Sequence, residues 1–474
     1  MDTWAPIADI AAAVNDGKTT ASENVEKALQ NIEDKAEFKA IISLTADRAR
    51  KRAKQIDEHV KSGKPAGRLA GVPFIAKDNF LTFGGETTAA SNILKGFNAP
   101  YQSTAVENLE AEGAICVAKA NLDAFAHGSS TENSDFFTTL NPHDKTRVPG
   151  GSSGGSAAAV VLGMAPFALG SDTGGSIRLP ASFTGCVGYK PTYGLVSRSG
   201  VVAMASSLDC IGPFARTVSD AAIVLDVMSG KDPLDSTTIE RSKNSYTDLE
   251  LDVEGKTIGI IKEYMGEGLE PEVRKLIDAG VEKLKNAGAV IKEVSLPSLP
   301  LALAVYYIIC PAEVSSNLSR YDGQRFGYSD LDAKTLEESY EMSREKGFGR
   351  EAKRRIMIGT YVLSSGYYDA YYKKAQTVRT KLINEFSAAF KEVDFLLGPT
   401  APSTAFKIGE NVDDPLKMYL IDIMTVAANL VGVPSISVPC GMVEGLPVGL
   451  QLMAAQTCDR ELLSLAKAFE ELNV

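Results

Sequence analysis

The chain has 474 residues, of which 44% are hydrophobic and 23% are charged, and its formal net charge at pH 7 is −11. This composition is typical of a globular protein, and a chain of this length can bury a large core. The acidic balance argues against a broad nucleic-acid-binding face formed by this chain alone. The six cysteines form no Cys-x-x-Cys pair, which excludes zinc-ribbon and thioredoxin-like proteins and indicates reduced thiols in a cytoplasmic setting.

The N-terminal region, about 1–65, is predicted to be helical. Thr20 begins a run in which Val25 and Ile32 recur at helical spacing, and dense charges continue the pattern. The N-terminus has an early acid and no basic segment, so it predicts no secretory signal. The most apolar stretch, about 154–170, is rich in small residues and is better interpreted as a buried helix than as a membrane span.

Short apolar runs alternate with helical patterns along the rest of the chain. The run 71–77 predicts a buried strand that ends in a lysine. Further strands are predicted at 114–118, 167–170, 257–261, 393–397, 435–438 and 449–453, and helices at 104–111 and 157–164. This alternation predicts an α/β fold with a large mixed β-sheet core flanked by helices, in a single domain over 1–474. Residues of about 296–390 have helical spacing and few strand signals, which predicts a helical insertion.

Two segments rich in glycine and serine, 149–156 and 170–178, stand out. A flexible linker is disfavoured because a helical pattern and an apolar strand follow the first segment at once. A phosphate-binding P-loop is disfavoured because no G-x-x-x-x-G-K-[ST] motif is present. The first segment matches the esterase pattern G-x-S-x-G, which needs a histidine after its nucleophile. The three histidines, His59, His127 and His143, all precede these serines, which excludes that order of residues.

A reactive serine in this chain needs a different base. A buried lysine can serve when its pKa falls from about 10.4 toward neutrality. Lys77 is the candidate because it ends an apolar strand, although an ordinary ion pair with Asp78 fits the local sequence equally well. The pattern S-x-x-K of penicillin-binding enzymes occurs at 343–346 and 464–467, in predicted helices without the partner motifs, and is interpreted as chance.

One ordered set of segments resembles the amidase-signature family: Lys77, 150–156, 170–178, 188–194 and 206–213. The resemblance implies the amidase-signature fold and a Ser–cis-Ser–Lys triad. In that triad Ser176 is the nucleophile, Ser152 relays the proton, and Lys77 is the base. The family's bridging serine follows a cis peptide bond, which the glycines beside Ser152 accommodate.

The second Gly-rich segment is expected to stabilise the oxyanion that forms during amide hydrolysis. Its glycines allow successive backbone amides to turn toward one point. The implied oxyanion hole consists of four backbone amides, those of Thr173, Gly174, Gly175 and Ser176.

A narrower resemblance, to the A subunits of aspartyl/glutamyl-tRNA amidotransferases, covers nearly the whole chain and includes the segments 128–133, 306–323, 354–360, 364–374 and 429–435. It implies glutamine as the substrate and a heterotrimer with B and C subunits, with ammonia passing to a partner. ATP, Mg²⁺ and the Glu-tRNA(Gln) or Asp-tRNA(Asn) are then expected mainly at the partner. No cofactor and no metal are expected in this chain, and no membrane association.

Glutamine needs counterions for its α-carboxylate and its α-ammonium group. The resemblance points to Arg355 and Asp422, with Tyr306 as a wall and Gly128 and Ser129 as further substrate-binding residues. In the alternative interpretation, Arg355 is a solvated charge in a basic run.

Two other functions stay open. A stand-alone amidase acting on small or aryl amides shares the triad and differs in its substrate region. A non-catalytic scaffold protein of the complex is disfavoured because no structural role requires Lys77, Ser152 and Ser176 together, and a nucleotide-binding protein is disfavoured by the missing P-loop. At position 127 the resembled family often has a methionine, whereas this chain has a histidine. His127 either shapes the substrate entrance or only packs against its neighbours.

Overall fold

Strands from the whole chain pair into one mixed β-sheet. The computed structural model describes residues 4–241 and 245–473. Within them lie eleven strands: β1 (Ile41–Leu44), β2 (Pro73–Lys77), β3 (Ile115–Ala120), β4 (Phe167–Asp172), β5 (Val187–Lys190), β6 (Cys210–Ala215), β7 (Thr257–Ile261), β8 (Val290–Val294), β9 (Phe395–Pro399), β10 (Ser435–Val443) and β11 (Leu446–Ala454). Their order across the sheet is β1-β3-β2-β4-β6-β5-β10-β11-β9-β7-β8. The pairs β2/β3, β2/β4, β7/β8 and β7/β9 are parallel and the other pairs antiparallel, which confirms the predicted mixed sheet.

Helices flank this sheet, as predicted. In the described residues they are α1 (Ile7–Asn15), α2 (Ala21–Asp34), α3 (Ala46–Lys61), α4 (Thr104–Ala111), α5 (Gly154–Val161), α6 (Arg178–Thr184), α7 (Val218–Met228), α8 (Pro271–Asn286), α9 (Ala302–Asn317), α10 (Leu336–Gly347), α11 (Arg350–Leu363), α12 (Lys374–Ala389), α13 (Pro415–Leu420), α14 (Val426–Val431) and α15 (Asp459–Leu472). Thr20 starts α2 for a local reason. Its side chain accepts the Glu23 amide while the Glu23 side chain accepts the Thr20 amide, which forms a capping box.

Four strands were not predicted, namely β1, β5, β6 and β8. Strand β1 lies inside the N-terminal region that was predicted to be helical, and it pairs antiparallel with β3, with Ile41 opposite Ala120. Strands β5 and β1 have only four residues each, and β8 lies at the sheet edge with partly exposed residues. Such strands are stabilised by pairing with distant segments, which a local pattern does not contain.

The segment between residues 296 and 390 contains α9 to α12 and short helical turns, with no strand among its residues. By length and composition alone, Leu299–Arg320 could cross a membrane. Half of its most apolar window is buried inside the protein, and α9 packs against α11, α12 and α14. This burial is typical of a core helix in a globular protein. The boundaries of a separate insertion stay a prediction.

The ends of two neighbouring parallel strands meet at one edge of the sheet. Strand β2 ends at Lys77 and β4 ends at Asp172, with Ala76 opposite Leu169. The second Gly/Ser-rich segment connects β4 to α6, and the first, which follows β3 by a long loop, leads into α5. Because open α/β sheets bind ligands beyond the carboxyl ends of their parallel strands, this edge is the expected place for a site.

Candidate active site

Lys77 is completely buried, and its side-chain nitrogen contacts three serine hydroxyls. Nζ lies 2.8 Å from Ser152 Oγ, 2.8 Å from Ser153 Oγ and 2.9 Å from Ser171 Oγ. A protonated amine donates to all three hydroxyls. A neutral amine has only two hydrogens, so one hydroxyl can then donate to Nζ. The geometry therefore allows a proton to move between a serine and Lys77.

The charge of Lys77 is not neutralised by its sequence neighbour. Asp78 pairs instead with the equally buried Lys119 at 2.8 Å, so the interpretation of Lys77 as the partner of Asp78 is wrong. Burial lowers the pKa of Lys77 to about 7, while nearby carboxylates, first Asp123, act in the opposite direction. A lysine with this pKa is partly neutral at pH 7 and can accept a proton.

Ser152 and Ser176 come from different segments that are held together beside Lys77. The Gly151–Ser152 peptide bond is cis, as the family resemblance implies. The backbone amide of Ser153 donates to the carbonyl of Ser176 at 3.3 Å. Ser152 is fully buried, whereas Ser176 keeps 8% of its surface exposed. Ser176 is therefore the hydroxyl that is more open to a substrate.

A buried ion pair stabilises the turn that presents Ser176. Asp172 and Arg178 are both completely buried and pair at 3.0 Å. Asn429 Nδ2 donates to the backbone carbonyl and to the carboxylate of Asp172. Burial acts to raise the pKa of Asp172, but the charge and hydrogen bonds of Arg178 overcome it and hold the pKa well below its ordinary range. The carboxylate therefore stays ionised and fixes the turn.

The turn offers three of the four backbone amides that were predicted for the oxyanion. The amide of Gly175 donates to the Asp172 carboxylate at 2.8 Å, so it is engaged within the turn, which corrects the prediction for this residue. The amides of Thr173, Gly174 and Ser176 make no hydrogen bond within residues 4–241 and 245–473. These three donors are free to bind an oxygen of a ligand.

A cavity with aromatic walls is lined by residues from separate parts of the chain. Gly128 and Ser129 form one part of its lining, and Tyr307 of α9, Arg355 of α11 and Tyr419 of α13 form another. The combination of aromatic surface with a few polar and charged groups is typical of a site for a small molecule.

Arg355 is buried in the wall of this cavity, with only 3% of its surface exposed, so it is not a solvated charge. Its Nε donates to Glu351 at 2.9 Å. The guanidinium carbon lies 5.5 Å from the ring centre of Tyr307 and 5.8 Å from that of Tyr419. The planar group is therefore held in place, and its remaining donors suit a carboxylate.

Asp422 brings a negative charge to the same region. Its carboxylate accepts hydrogen bonds from Ser129 Oγ at 2.7 Å and from the Tyr307 hydroxyl at 2.8 Å. Burial raises the pKa of Asp422 to about 6, although both hydroxyls act to lower it. The Thr425 hydroxyl donates to the carbonyls of Asp422 and Gly174, which connects the cavity to the Ser176 turn.

Tyr307, next to the predicted Tyr306, lines the cavity. Tyr306 is buried and packs against the Ser176 turn, where a Cβ on Gly174 would lie 2.6 Å from its ring, and its role as a wall of the substrate site stays a prediction. The adjacent tyrosines indicated an aromatic surface, but the rotation of α9 decides which one faces the cavity. The sequence analysis also did not identify Glu351 as the partner of Arg355. Glu351 precedes Arg355 by four residues on α11, which is a usual spacing for an ion pair on a helix.

Within the described ranges, no group of three or more His, Cys, Asp or Glu side chains is placed to hold a metal ion. All six cysteines are free, five of them buried and Cys458 half-buried. His127 is buried, and neither of its ring nitrogens has a hydrogen-bond partner among the described residues.

Known proteins share this architecture. The model of the amidase family matches residues 23–463. The A subunit of the glutamyl-tRNA(Gln) amidotransferase from Thermoanaerobacter pseudethanolicus is 52% identical over 458 residues, which cover 96% of this chain and 94% of the relative. The crystal structure of the corresponding A subunit from Thermotoga maritima has a TM-score of 0.80 at 42% identity, covering 95% of this chain and 91% of that one. A bacterial aryl acylamidase has a TM-score of 0.86 at 26% identity, covering 99% and 96%. The chain therefore belongs to the amidase family.

Proposed function

We propose that this chain is the glutamine-hydrolysing A subunit of a tRNA-dependent amidotransferase. The observation that carries the proposal is the placement of Arg355 in the wall of one cavity and of Asp422 against two other wall residues, Ser129 and Tyr307. Thr425 links Asp422 to the Ser176 turn by hydrogen bonds. An α-amino acid presents a carboxylate and an ammonium group at one end, and the side chains of Arg355 and Asp422 match that pair of charges. The curated relatives that carry this name support the proposal.

Glutamine binds with its α-carboxylate on the guanidinium of Arg355 and its α-ammonium group on Asp422. Ser129 and Tyr307 hold the Asp422 carboxylate in place through their hydroxyls. The side-chain amide of glutamine then extends toward Ser176. Gly128 allows this loop to pack closely against Asp123, because a Cβ at this position would lie 2.4 Å from the carboxyl carbon of Asp123.

The reaction proceeds through an acyl-enzyme. Ser176 Oγ attacks the amide carbon while its proton passes to Ser152 and the proton of Ser152 passes to Lys77. The carbonyl oxygen becomes an anion that accepts hydrogen bonds from the backbone amides of Thr173, Gly174 and Ser176. Lys77 and Ser152 return the proton to the amide nitrogen as the carbon–nitrogen bond breaks, and ammonia leaves. Water, deprotonated by the same relay, then hydrolyses the ester on Ser176 and releases glutamate.

The ammonia passes to a B subunit, which forms a heterotrimer with this chain and a C subunit. The B subunit binds ATP, Mg²⁺ and Glu-tRNA(Gln) or Asp-tRNA(Asn), and converts the charged tRNA to Gln-tRNA(Gln) or Asn-tRNA(Asn). This division of labour leaves nucleic-acid binding mainly to the partner, in agreement with the net charge of −11 of this chain. We place the complex in the cytoplasm.

A stand-alone amidase acting on small or aryl amides is the second candidate. The likeness to the bacterial aryl acylamidase favours it, because both chains share the fold around the relay. Its substrates lack the α-carboxylate and the α-ammonium group. They would leave the remaining guanidinium donors of Arg355 and the carboxylate of Asp422 without a ligand group of opposite charge, which is unfavourable at these buried positions.

The test is ammonia release by the chain co-expressed with its B and C partners, wild type beside Ser176→Ala. We expect release from L-glutamine that rises with ATP and charged tRNA and falls by more than about 10³-fold in Ser176→Ala. Butanamide, which lacks both α-groups, is the control substrate. Good cleavage of butanamide or an anilide without cleavage of glutamine would establish the stand-alone amidase. Glutamine hydrolysis unchanged by Ser176→Ala would overturn the relay.

A further inference from the structure

Asp123 is a completely buried residue that contacts both members of the cis peptide. Its backbone amide donates to the carbonyl of Ser152 at 3.2 Å. A Cβ on Gly151 would lie 2.2 Å from Asp123 Oδ2, so the carboxylate occupies the space that a side chain at this position would need. Asp123 therefore lies against the segment whose next hydroxyl, that of Ser152, bonds Lys77.

The Asp123 carboxylate has uncharged hydrogen-bond partners. Oδ2 accepts the backbone amide of Thr131 at 2.8 Å, and Oδ1 accepts the backbone amide of Asn133 at 3.0 Å. None of the ion pairs formed within residues 4–241 and 245–473 includes Asp123, unlike the buried pairs of Asp78 and Asp172. Burying a carboxylate without a paired cation costs free energy. Because no cation of the described residues forms an ion pair with Asp123, its negative charge acts on other charged groups nearby.

Three buried carboxylates act on Lys77, namely Asp123, Asp172 and Asp209. Asp172 has its own ion pair with Arg178, and Asp209 has Arg198 as a neighbouring cation. For Asp123 the cation that acts on it is Lys77, while Glu132 on the same loop adds repulsion. Unlike the other two acids, Asp123 has Lys77 as the cation that acts on its charge, in addition to the two backbone amides that donate to its carboxylate.

We propose that Asp123 is a positioning residue of amide hydrolysis: its carboxylate stabilises Lys77 after Lys77 has accepted the serine proton, and its backbone amide holds Ser152. This inference rests on the proposed relay and adds a residue outside the triad. When the proton arrives, a buried ammonium group forms, and such a charge is unfavourable without a counter-charge. Asp123 supplies that counter-charge during the step in which the base is needed.

The pKa directions agree with this geometry. Burial raises the pKa of Asp123 to about 6, so the carboxylate is mostly ionised at pH 8. Burial lowers the pKa of Lys77 to about 7, and Asp123 opposes this decrease. Removal of the negative charge therefore lowers the pKa of Lys77 further. More Lys77 is then neutral at acid pH, but each neutral Lys77 is a weaker base.

The test is the pH dependence of kcat/KM for amide hydrolysis by the full complex carrying Asp123→Asn. The acid limb of the profile reports the protonation of Lys77, and we expect it to move to lower pH by about one unit. The plateau of kcat/KM should fall about 10-fold because the base is weaker. A merely structural role of Asp123 would lower the rate without moving the limb.

Thr131→Val is the matched control. The Thr131 hydroxyl donates to the carbonyl of Gly150 at 2.8 Å and accepts the amide of Gly154 at 3.2 Å, on either side of the cis peptide. Its removal loosens the same segment without changing a charge. We expect a lower kcat/KM with the acid limb in the wild-type position.

An Asp123→Asn profile with a reduced plateau and an unmoved limb, or a limb at higher pH, would overturn the proposal. Circular dichroism and the Tm show whether the variant folds. If it does not, the same profile is measured with Asp123→Ser, which keeps an oxygen acceptor for one amide. The substrate is whichever amide the wild type hydrolyses, so an error in the glutamine assignment leaves this test intact.

Discussion

The relay and the substrate cavity are built in opposite ways. The proposed relay combines Lys77, Ser152 and Ser176, all at the ends of adjacent core elements, and the buried amine of Lys77 contacts the Ser152 hydroxyl directly. The cavity is lined by Ser129, Tyr307 and Arg355, and Asp422 is hydrogen-bonded to the first two. These four residues lie on a loop, two helices and a helical turn far apart in the chain. One region therefore depends on local motifs and the other on how distant helices pack.

The two regions therefore have different proposed roles: the relay carries out the reaction, and the cavity selects the substrate. The relay needs burial and glycine-rich turns, which the core strands and their loops supply. The cavity region needs two opposite charges held at fixed places, and these are supplied by Arg355 on α11 and by Asp422 in the helical turn after α13. The overall fold is shared with an aryl acylamidase, so the helical wall is where we expect the substrate preference to be decided. The following predictions test this separation.

The largest effect is expected within the relay, from a comparison of two neighbouring serines. Both Ser152 Oγ and Ser153 Oγ lie 2.8 Å from Lys77 Nζ, but only Ser152 follows the cis bond and is proposed to relay the proton. Ser152→Ala should lower kcat by about 10²–10⁴-fold, the range for loss of general acid–base catalysis. Ser153→Ala should lower kcat much less. Steady-state ammonia release measures both, and equal losses would contradict the assignment of the relay.

A smaller effect that depends on the substrate is expected at the cavity wall. Arg355→Lys keeps the positive charge but loses the planar fork, so kcat/KM for L-glutamine should fall about 10–100-fold. For butanamide, which has no carboxylate, kcat/KM should stay within about threefold.

Arg354→Lys is the matched control for this prediction. Arg354 also pairs with Glu351, but its side chain is partly exposed. Its replacement should change neither substrate's kcat/KM by more than about threefold. Equal losses for glutamine and butanamide in Arg355→Lys would show that Arg355 has only a structural role.

The smallest effect is expected at His127, which is buried beside the cavity loop and has two ring nitrogens without partners in the described part of the chain. His127→Met should raise the free energy of unfolding at pH 8 by about 1–2 kcal/mol, because the unsatisfied nitrogens are removed. His143→Met is the control, since His143 Nε2 lies 2.9 Å from the carbonyl of Thr184, and we expect this change to lower stability.

The stabilisation by His127→Met should depend on pH. Burial lowers the pKa of His127 well below its ordinary value, so the unfolded chain takes up the proton first as the pH falls. The wild type therefore loses stability below pH of about 6.5, by about 1.4 kcal/mol per pH unit, until the folded pKa is reached. Urea unfolding at pH 8 and pH 5.5 measures the free energy of unfolding of the wild type and of His127→Met. A difference between the two proteins that is the same at both pH values would contradict the prediction.

The sequence predicted more of the relay than of the cavity. The strand that ends at Lys77, the helix after the first Gly/Ser-rich segment and the strand before the second were predicted because their patterns are local and apolar. The cavity was predicted only in part. Arg355 and Asp422 were inferred from resemblance, and Tyr307 and Glu351 were missed. Tyr306 packs against Gly174 of the Ser176 turn, and its role in substrate binding stays a prediction.

The sequence by itself determined the α/β alternation, the glycines of the two turns, and the absence of a histidine after the serines, which made Lys77 a candidate base. Only the tertiary structure decided that Asp78 belongs to Lys119, that Gly175 is engaged by Asp172, and that Asp123 lies against the cis peptide without an ion-pair partner among the described residues. The physical reason is that these outcomes depend on which charges meet in the same buried volume. Backbone patterns are set by neighbours in sequence, whereas burial and charge pairing are set by neighbours in space.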